Sequence, residues 1–359
     1  MPTGRLSARL RLNRAARRLG VAVHDLPADI RFAEPDPTRW GLVPAGEVSA
    51  ETRHDDARLG TAVAVARQGD WGQAAALVAD TWVDWDRRAR VVRALADVAA
   101  HDDTWLKAWR AAAPEDPHAL VVHADALVRL AWQIRGSGWR HETTQRQIAG
   151  FRRVLHEAES AAYAAAMAVP EDPTPWLALV TAARGLGYDH DEFAEVWRGL
   201  TDRDPLHLHG HVQAAQYWCA KWHGSDEELV AFATAGAERS PGLAVLPLVA
   251  ALELAEDERS SVWRARFVTG ALDTLLTRLS EKDSAGTAHT GDARDREERG
   301  WAAMALTNSG RCDEAVEQFR ALRGRADGEP WTTYFHDPRR AFLAHRHRAC
   351  LGASKPGKQ

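Results

Sequence analysis

Cysteine is scarce in this chain of 359 residues: Cys219, Cys312 and Cys350 are the only three, odd in number and far apart, and no CxxC occurs. That excludes a disulfide framework and a Cys-rich zinc site and points to a reducing, cytoplasmic location. No apolar run is long enough to span a bilayer. The N-terminus is basic, with Arg5, Arg9, Arg11, Arg14, Arg17 and Arg18, but lacks the uninterrupted apolar core of a signal peptide. A net charge of −4 gives no global field for a polyanion. Lysine supplies only five of 46 basic side chains, a bias we read as composition rather than function. Val and Ile are thinly scattered without period-two alternation, so nothing reads as a strand. P-loop, GxGxxG, GxSxG and HExxH motifs are all missing.

What is present is helix punctuation. Asp-Pro occurs at 36–37, 116–117, 172–173, 204–205 and 337–338, and four of these open an Ala/Leu/Val-rich segment of helical spacing. Asp is a good N-cap and Pro suits the first helical position. Two of the starts share Pro-Glu-Asp-Pro, and a chain that re-initiates helices with one signal reads as a helical repeat. At Gly69-Asp70-Trp71-Gly72-Gln73-Ala74 a glycine ends one helix and a small Ala follows five residues later. That pattern resembles the turn of a tetratricopeptide repeat. Trp71, Ala74, Ala75 and Val78 then follow an amphipathic stripe. The grammar returns at Gly224, with Ser225 and Glu228 in a capping-box pattern, and at Gly310 with Ala315 and Phe319. Residues 140–168 and 259–278 read as long helices. Residues 280–296 lack large apolar side chains and read as a mobile loop. The expected organisation is a basic N-terminal helix and irregular lead-in over 1–55, a helical-repeat domain over 56–350 and a disordered tail over 351–359.

Fifteen tryptophans read first as core filling between repeat units. The densest chemical cluster is Tyr217-Trp218-Cys219-Ala220-Lys221-Trp222-His223-Gly224-Ser225. On a helix Cys219 and His223 share a face at i, i+4, the spacing of a thiolate nucleophile and its base. The simpler reading makes Trp218 and Cys219 core, with Lys221 and His223 at a helix C-terminus that favours cations. Asp204, His207 and His211 lie at i, i+3 and i+7 and could converge on a metal, but Asp204 is better explained as a cap. We assign no metal, no cofactor and no catalytic residue. At Arg135-Gly136-Ser137-Gly138-Trp139 two glycines could turn backbone amides toward an anion beside Arg135; a plain helix–helix turn anchored by Trp139 is the alternative.

The Arg-Gly-Ser-Gly loop at 135–138, Asp-Pro-Thr-Pro-Trp at 172–176 and the 217–225 cluster together resemble a group of uncharacterised actinobacterial, tetratricopeptide-like proteins. The resemblance covers about 55–350 and implies an all-α, irregular solenoid of stacked helix pairs, without an activity to carry over. The carboxylate clamp of chaperone-binding repeats relies on Asn and Lys, which this chain holds only at Asn13, Asn308 and its five lysines. Three functions follow as expectations. The first is a non-catalytic scaffold for a protein or peptide. The second is a small-molecule binder or enzyme with a pocket around Arg135, Trp139, Lys221, Trp222 and His223. The third is a nucleic-acid or membrane-surface adaptor through the N-terminal arginines, against which the overall negative charge argues. Arg135, Ser137, Trp139, Tyr217, Lys221, Trp222 and His223 are the candidate partner-binding residues.

Overall fold

The computed structural model describes residues 35–53, 56–136, 144–258, 260–285 and 293–354. Among them the chain is all-helical, with sixteen α-helices and one isolated parallel bridge, between Ser49 and Arg325. None of these helices is long and apolar enough to cross a membrane. The N-terminal arginine segment, Ser137, Trp139 and the residues from 355 lie outside the described residues. The chain gathers into two compact units: residues 54–253, and residues up to 53 with those from 254 onward.

The 54–253 unit contains α1 (Ala57–Ala66), α2 (Gly72–Asp80), α3 (Trp85–His101), α4 (Thr104–Ala112), α5 (Pro117–Arg135), α6 (Gln145–Ala168), α7 (Thr174–Leu186), α8 (His190–Thr201), α9 (Leu208–Tyr217) and α10 (Asp226–Arg239), and ends within α11 (Leu246–Leu254). Neighbours in sequence pack in space: α1 on α2, α5 on α6, α6 on α7, and α7 on α8; α3 also packs on α5, and α7 on α9. Trp105 and Trp109 fill one core cluster, and Phe151, Leu179, Phe193 and Tyr217 a second. Trp71, expected in the core, closes the first cluster by stacking on Trp109 at 6.0 Å.

The Asp-Pro signals are satisfied unequally. Asp116 caps α5 by accepting a hydrogen bond from the His118 amide at 2.9 Å. Asp36 caps a short 3-10 turn at Pro37–Trp40. At 172 the helix starts two residues later, and the Asp172 carboxylate accepts from the Thr174 amide at 2.8 Å. Asp204-Pro205 opens only a turn, because Leu206 is left exposed and the apolar stripe begins at Leu208. His207 caps α9 instead, its Nδ1 accepting from the Gly210 amide at 3.1 Å. The stretch from Trp82 to Arg110 breaks at Asp102 and Asp103 into two helices, with Trp82 in the turn before α3.

The other unit holds α12 (Arg266–Ser284), α13 (Ala293–Ser309), α14 (Cys312–Leu322), α15 (Trp331–Tyr334) and α16 (Pro338–Gly352). Asp337 caps α16 as its Asp-Pro step predicts. The loop expected over 280–296 is corrected at both ends, since 280–284 belong to α12 and 293–296 to α13; 286–292 lie outside the described residues. These polar sequences stay helical because their charges pair across the two helices. Arg299 bridges Asp283 at 2.5 Å and Asp295 at 2.8 Å, and the fully buried Glu298 meets Arg278 and Arg294. Leu351 and Gly352, expected in a disordered tail, belong to α16.

Two of the three repeat-like turns share a geometry. Gly69 and Gly310 both hold left-handed φ, at 94° and 90°, the conformation glycine reaches without strain. Ala74 and Ala315, five residues on, are fully buried. Gly224 has no positive φ; a Cβ there would stand 2.2 Å from the Trp218 carbonyl oxygen. It serves a close backbone approach, so the third turn is of another kind.

Candidate functional site

Four helices of the 54–253 unit surround a cavity of about 440 Å³. Each contributes one face. Ala89, Val92, Arg93 and Asp97 come from α3; Asp125, Val128, Arg129, Trp132, Gln133 and the following Gly136 from α5; Thr174, Leu177, Thr181 and Arg184 from α7; His209 and Gln213 from α9. The spacings are three or four residues, or sums of these, as one side of a helix requires. Apolar side chains lie at the same intervals as the charged ones, so each helix offers the cavity a mixed stripe.

The polar groups are tied in place. Arg129 donates to Asp125 at 2.8 Å and to Asp97 at 2.6 Å. Despite the burial that opposes its charge, these two carboxylates hold its pKa above the usual arginine value. Arg93 donates to His209 Nε2. Burial first, and Arg93 next, push the His209 pKa well below its ordinary value, so the ring is neutral. Arg184 donates to Gln213 at 3.0 Å and lies over the Trp132 ring at 4.6 Å, a cation–π distance. Trp132 Nε1 and Thr174 Oγ1 are buried and have no hydrogen-bond partner among the described residues. Buried donors of this kind are normally satisfied.

The structure brings some sequence candidates to this cavity and takes others away. Arg135 lies over both Trp132 and Trp222, at 5.8 and 5.4 Å, and Trp222 meets Trp132 edge-on at 5.6 Å. Those two candidates therefore flank the cavity's aromatic wall. His223 Nε2 donates to the Arg184 carbonyl at 2.9 Å and its ring stacks on Tyr217 at 4.9 Å, so it buttresses Arg184. Tyr217 is core: its ring stacks on Phe193 at 3.7 Å, its hydroxyl donates to the Tyr188 carbonyl at 2.9 Å, and burial pushes its pKa up to about 12. Lys221 pairs with Glu253, away from the cavity lining.

The helix expected to carry Cys219 and His223 on one face before the Gly224 turn ends at Tyr217, and 218–224 form turns. Trp218 and Trp222 consequently face different neighbours, Trp218 packing on Phe193 and His190. Cys219 is buried, donates weakly to the Ala215 carbonyl at 3.4 Å and has its pKa raised to about 12 by burial. That is the opposite of an activated thiolate. No group of three or more metal-ligating side chains occurs among the described residues. Asp204, His207 and His211 part company: His207 caps α9 and His211 Nδ1 donates to the His207 carbonyl at 3.0 Å.

Sequence reasoning missed Arg93, Arg129, Arg184, His209 and Gln213. Their signal was present, as polar residues in register with apolar ones on α3, α5, α7 and α9, but the pattern does not say which helices adjoin.

Residues 66–191 match the family described as Domain of unknown function (DUF4034). That stretch runs from the end of α1 to the start of α8 and contains the cavity residues of α3, α5 and α7, but not those of α9. No curated protein matches the chain, and no solved structure does.

Proposed function

We propose that the chain is a ligand-binding protein of helical-repeat type, and that its ligand enters the cavity among α3, α5, α7 and α9. The observation that carries this is the cavity's composition. A volume of about 440 Å³ lies within the range of small-molecule sites, and such sites join apolar walls to a few fixed polar groups. Arg129 held by two aspartates, and Arg184 held by Gln213 and stacked on Trp132, supply those groups. The repeat character is supported by the two turns at Gly69 and Gly310 with their buried alanines.

A dye with an apolar body and an anionic group, 1-anilinonaphthalene-8-sulfonate, tests the reading. Its fluorescence should report one saturable site per chain. Thr181→Trp, which places a large ring in the cavity from its half-buried wall, should weaken binding by about tenfold or more, one 1.4 kcal/mol step, with the helical circular dichroism unchanged. Equal binding by parent and variant refutes a site in this cavity.

Docking of a protein or peptide is a second reading, favoured by one observation. Trp82, Val83, Met167 and Leu206 are exposed apolar side chains in or beside the loops that connect α2–α3, α6–α7 and α8–α9. Val83 is also held at φ 63°, where a β-branched residue is strained. Under this reading, a protein captured by the parent chain escapes capture by a Trp82→Ser, Met167→Ser variant and is still captured by Thr181→Trp.

A further inference from the structure

We infer that α14, α16 and the loop between α14 and α15 form a docking surface for a peptide segment of a second protein, and that the chain's own residues 36–53 occupy this surface as a replaceable resident. The inference concerns the unit built from the two ends of the chain and does not depend on the cavity of the 54–253 unit. Residues 36–53 hold two short 3-10 turns, Pro37–Trp40 and Ala45–Glu47, and no longer helix. Their backbone does most of the holding. Arg320 of α14 donates to the Trp40 carbonyl through Nε at 3.1 Å and Nη2 at 2.8 Å. Arg339 of α16 donates to the Ala45 carbonyl at 2.7 Å and the Val48 carbonyl at 2.9 Å, and Arg346 to the Val43 carbonyl at 2.8 Å. Ser49 pairs with the loop like an added strand: its amide donates to the Gly324 carbonyl at 3.0 Å, and its carbonyl accepts from the Ala326 amide at 2.8 Å.

Backbone carbonyls are common to every peptide, so these bonds do not require the sequence of 36–53; in such recognition main-chain bonds give affinity and side-chain pockets give choice. Choice here comes from two positions, since Leu42 and Val48, six residues apart, are the only buried side chains of the segment. Arg320 and Arg339 direct their guanidinium hydrogen bonds to the segment and have no acidic partner among the described residues. The surface is also left bare where the chain crosses it. Gly324 holds φ 76°, and a Cβ there would stand 2.7 Å from Val43 Cγ2 and 3.5 Å from the Val48 Cα. The helices beneath include the α13–α14 pair with its repeat-like turn, and α14 packs on α16; stacked helix pairs commonly offer such surfaces to other chains. A segment anchored by two side chains belongs to the easily opened part of a fold. A partner segment that presents carbonyls and two apolar side chains at the same separation therefore competes with it.

Fluorescence anisotropy of a labelled synthetic peptide of residues 35–53, added to the full chain, tests this. Leu42→Ser with Val48→Ser in the chain loosens the resident segment and leaves the surface intact. The peptide should bind this double variant about tenfold or more tighter than the parent, because it no longer competes with a well-anchored resident. A second peptide that keeps Leu42 and Val48 but has Thr38, Arg39, Glu47 and Glu51 replaced by Ser should bind as well as the first. Adding Arg320→Gln and Arg339→Gln to the double variant should weaken both peptides by about tenfold or more. A folded double variant that binds neither peptide overturns the inference, as does binding that ignores the arginine changes. Dimerisation of the parent in light scattering, abolished by Leu42→Ser with Val48→Ser, would assign the surface to a second copy of this chain and overturn the separate partner. If the double variant loses its helical circular dichroism, hydrogen exchange in the parent decides. The Ser49 amide should then exchange about a hundredfold or more faster than amides in the middle of α14, such as that of Phe319. Exchange of Ser49 in step with α14 would show that the segment is a fixed part of the core and is not replaceable.

Discussion

Arg88 shows how much one side chain can organise. It is fully buried, and its Nε donates to Asp172, also fully buried, at 2.7 Å. One Nη donates to the Val78 carbonyl at 2.9 Å and the other to His118 Nδ1 at 3.2 Å, while the guanidinium lies over Trp82 at 5.4 Å. The end of α2, the start of α3, the start of α5 and the α6–α7 turn thus meet on one cation. Asp172 serves twice, since its other oxygen accepts from the Thr174 amide, fixing the start of α7 and with it a wall of the cavity. Breaking a buried pair by removing one partner leaves an uncompensated charge and costs about 3–5 kcal/mol. Arg88→Met should therefore lower the free energy of unfolding by an amount of that order, seen as a lower urea midpoint. The double change Arg88→Met, Asp172→Asn should recover part of the loss, because the stranded carboxylate is gone. A midpoint unaffected by Arg88→Met would mean that this pair is not buried.

Helices in this chain are started locally but end where packing decides. Thr144 with Gln147 and Asp189 with Glu192 form complete capping boxes at α6 and α8, and such starts can be read without a structure. The end of α9 at Tyr217 could not be read so. The cluster beyond it has helical spacing, yet Gly224 lets the backbone fold back onto Trp218 at a distance no Cβ would permit, and the turn carries Trp222 to Trp132 and His223 to Arg184. Small residues mark the other close contacts. A Cβ on Gly199 in α8 would stand 2.0 Å from the Trp176 ring of α7. Ala74 and Ala315 have no exposed surface in the α1–α2 and α13–α14 pairs. Ala74→Trp and Ala315→Trp should each cost about 1–3 kcal/mol or more by overpacking, seen as a lower thermal midpoint. If both variants melt with the parent, the helix register described for these pairs is wrong.

Buried neutral histidines should make the whole molecule sensitive to mild acid. Burial, with Arg348 adding to it, lowers the His345 pKa to about 3, and burial lowers that of His123 to about 4. His118, His207, His209 and His211 are lowered too, burial being the largest cause in each. In the unfolded chain the same rings titrate near 6.5. Below that pH the unfolded state binds protons that the folded state refuses, so stability falls as pH drops, by up to about 1.4 kcal/mol per pH unit for each such ring, until the folded pKa is reached. Paired carboxylates such as Asp327, whose pKa is lowered mainly by Arg325 against its burial, act only nearer pH 4 and below, the ordinary aspartate range. Urea unfolding between pH 7.5 and 5 isolates the histidines. Stability should decline steeply over that window, and His345→Gln should make the decline shallower. A flat profile would show that these rings are solvated or already charged.

Helix content and many helix starts follow from the chain alone, because Asp-Pro steps, capping residues, left-handed glycines and the 3.6-residue apolar period act within a few residues of one another. Gly69 with Ala74 and Gly310 with Ala315 were legible for that reason. The candidate site was legible only at its edge, in Arg135, Trp222 and His223. Its interior draws one stripe from each of four helices spread over more than a hundred residues, and the identity of neighbouring helices depends on how large and small side chains interlock across them. The same limit explains the 280–296 segment, which looks like a loop until Arg299 finds Asp283, and Glu298 finds Arg278, across α12 and α13. Pairing of distant charges in a buried space is a property of the packed molecule, and no local pattern of residues encodes it.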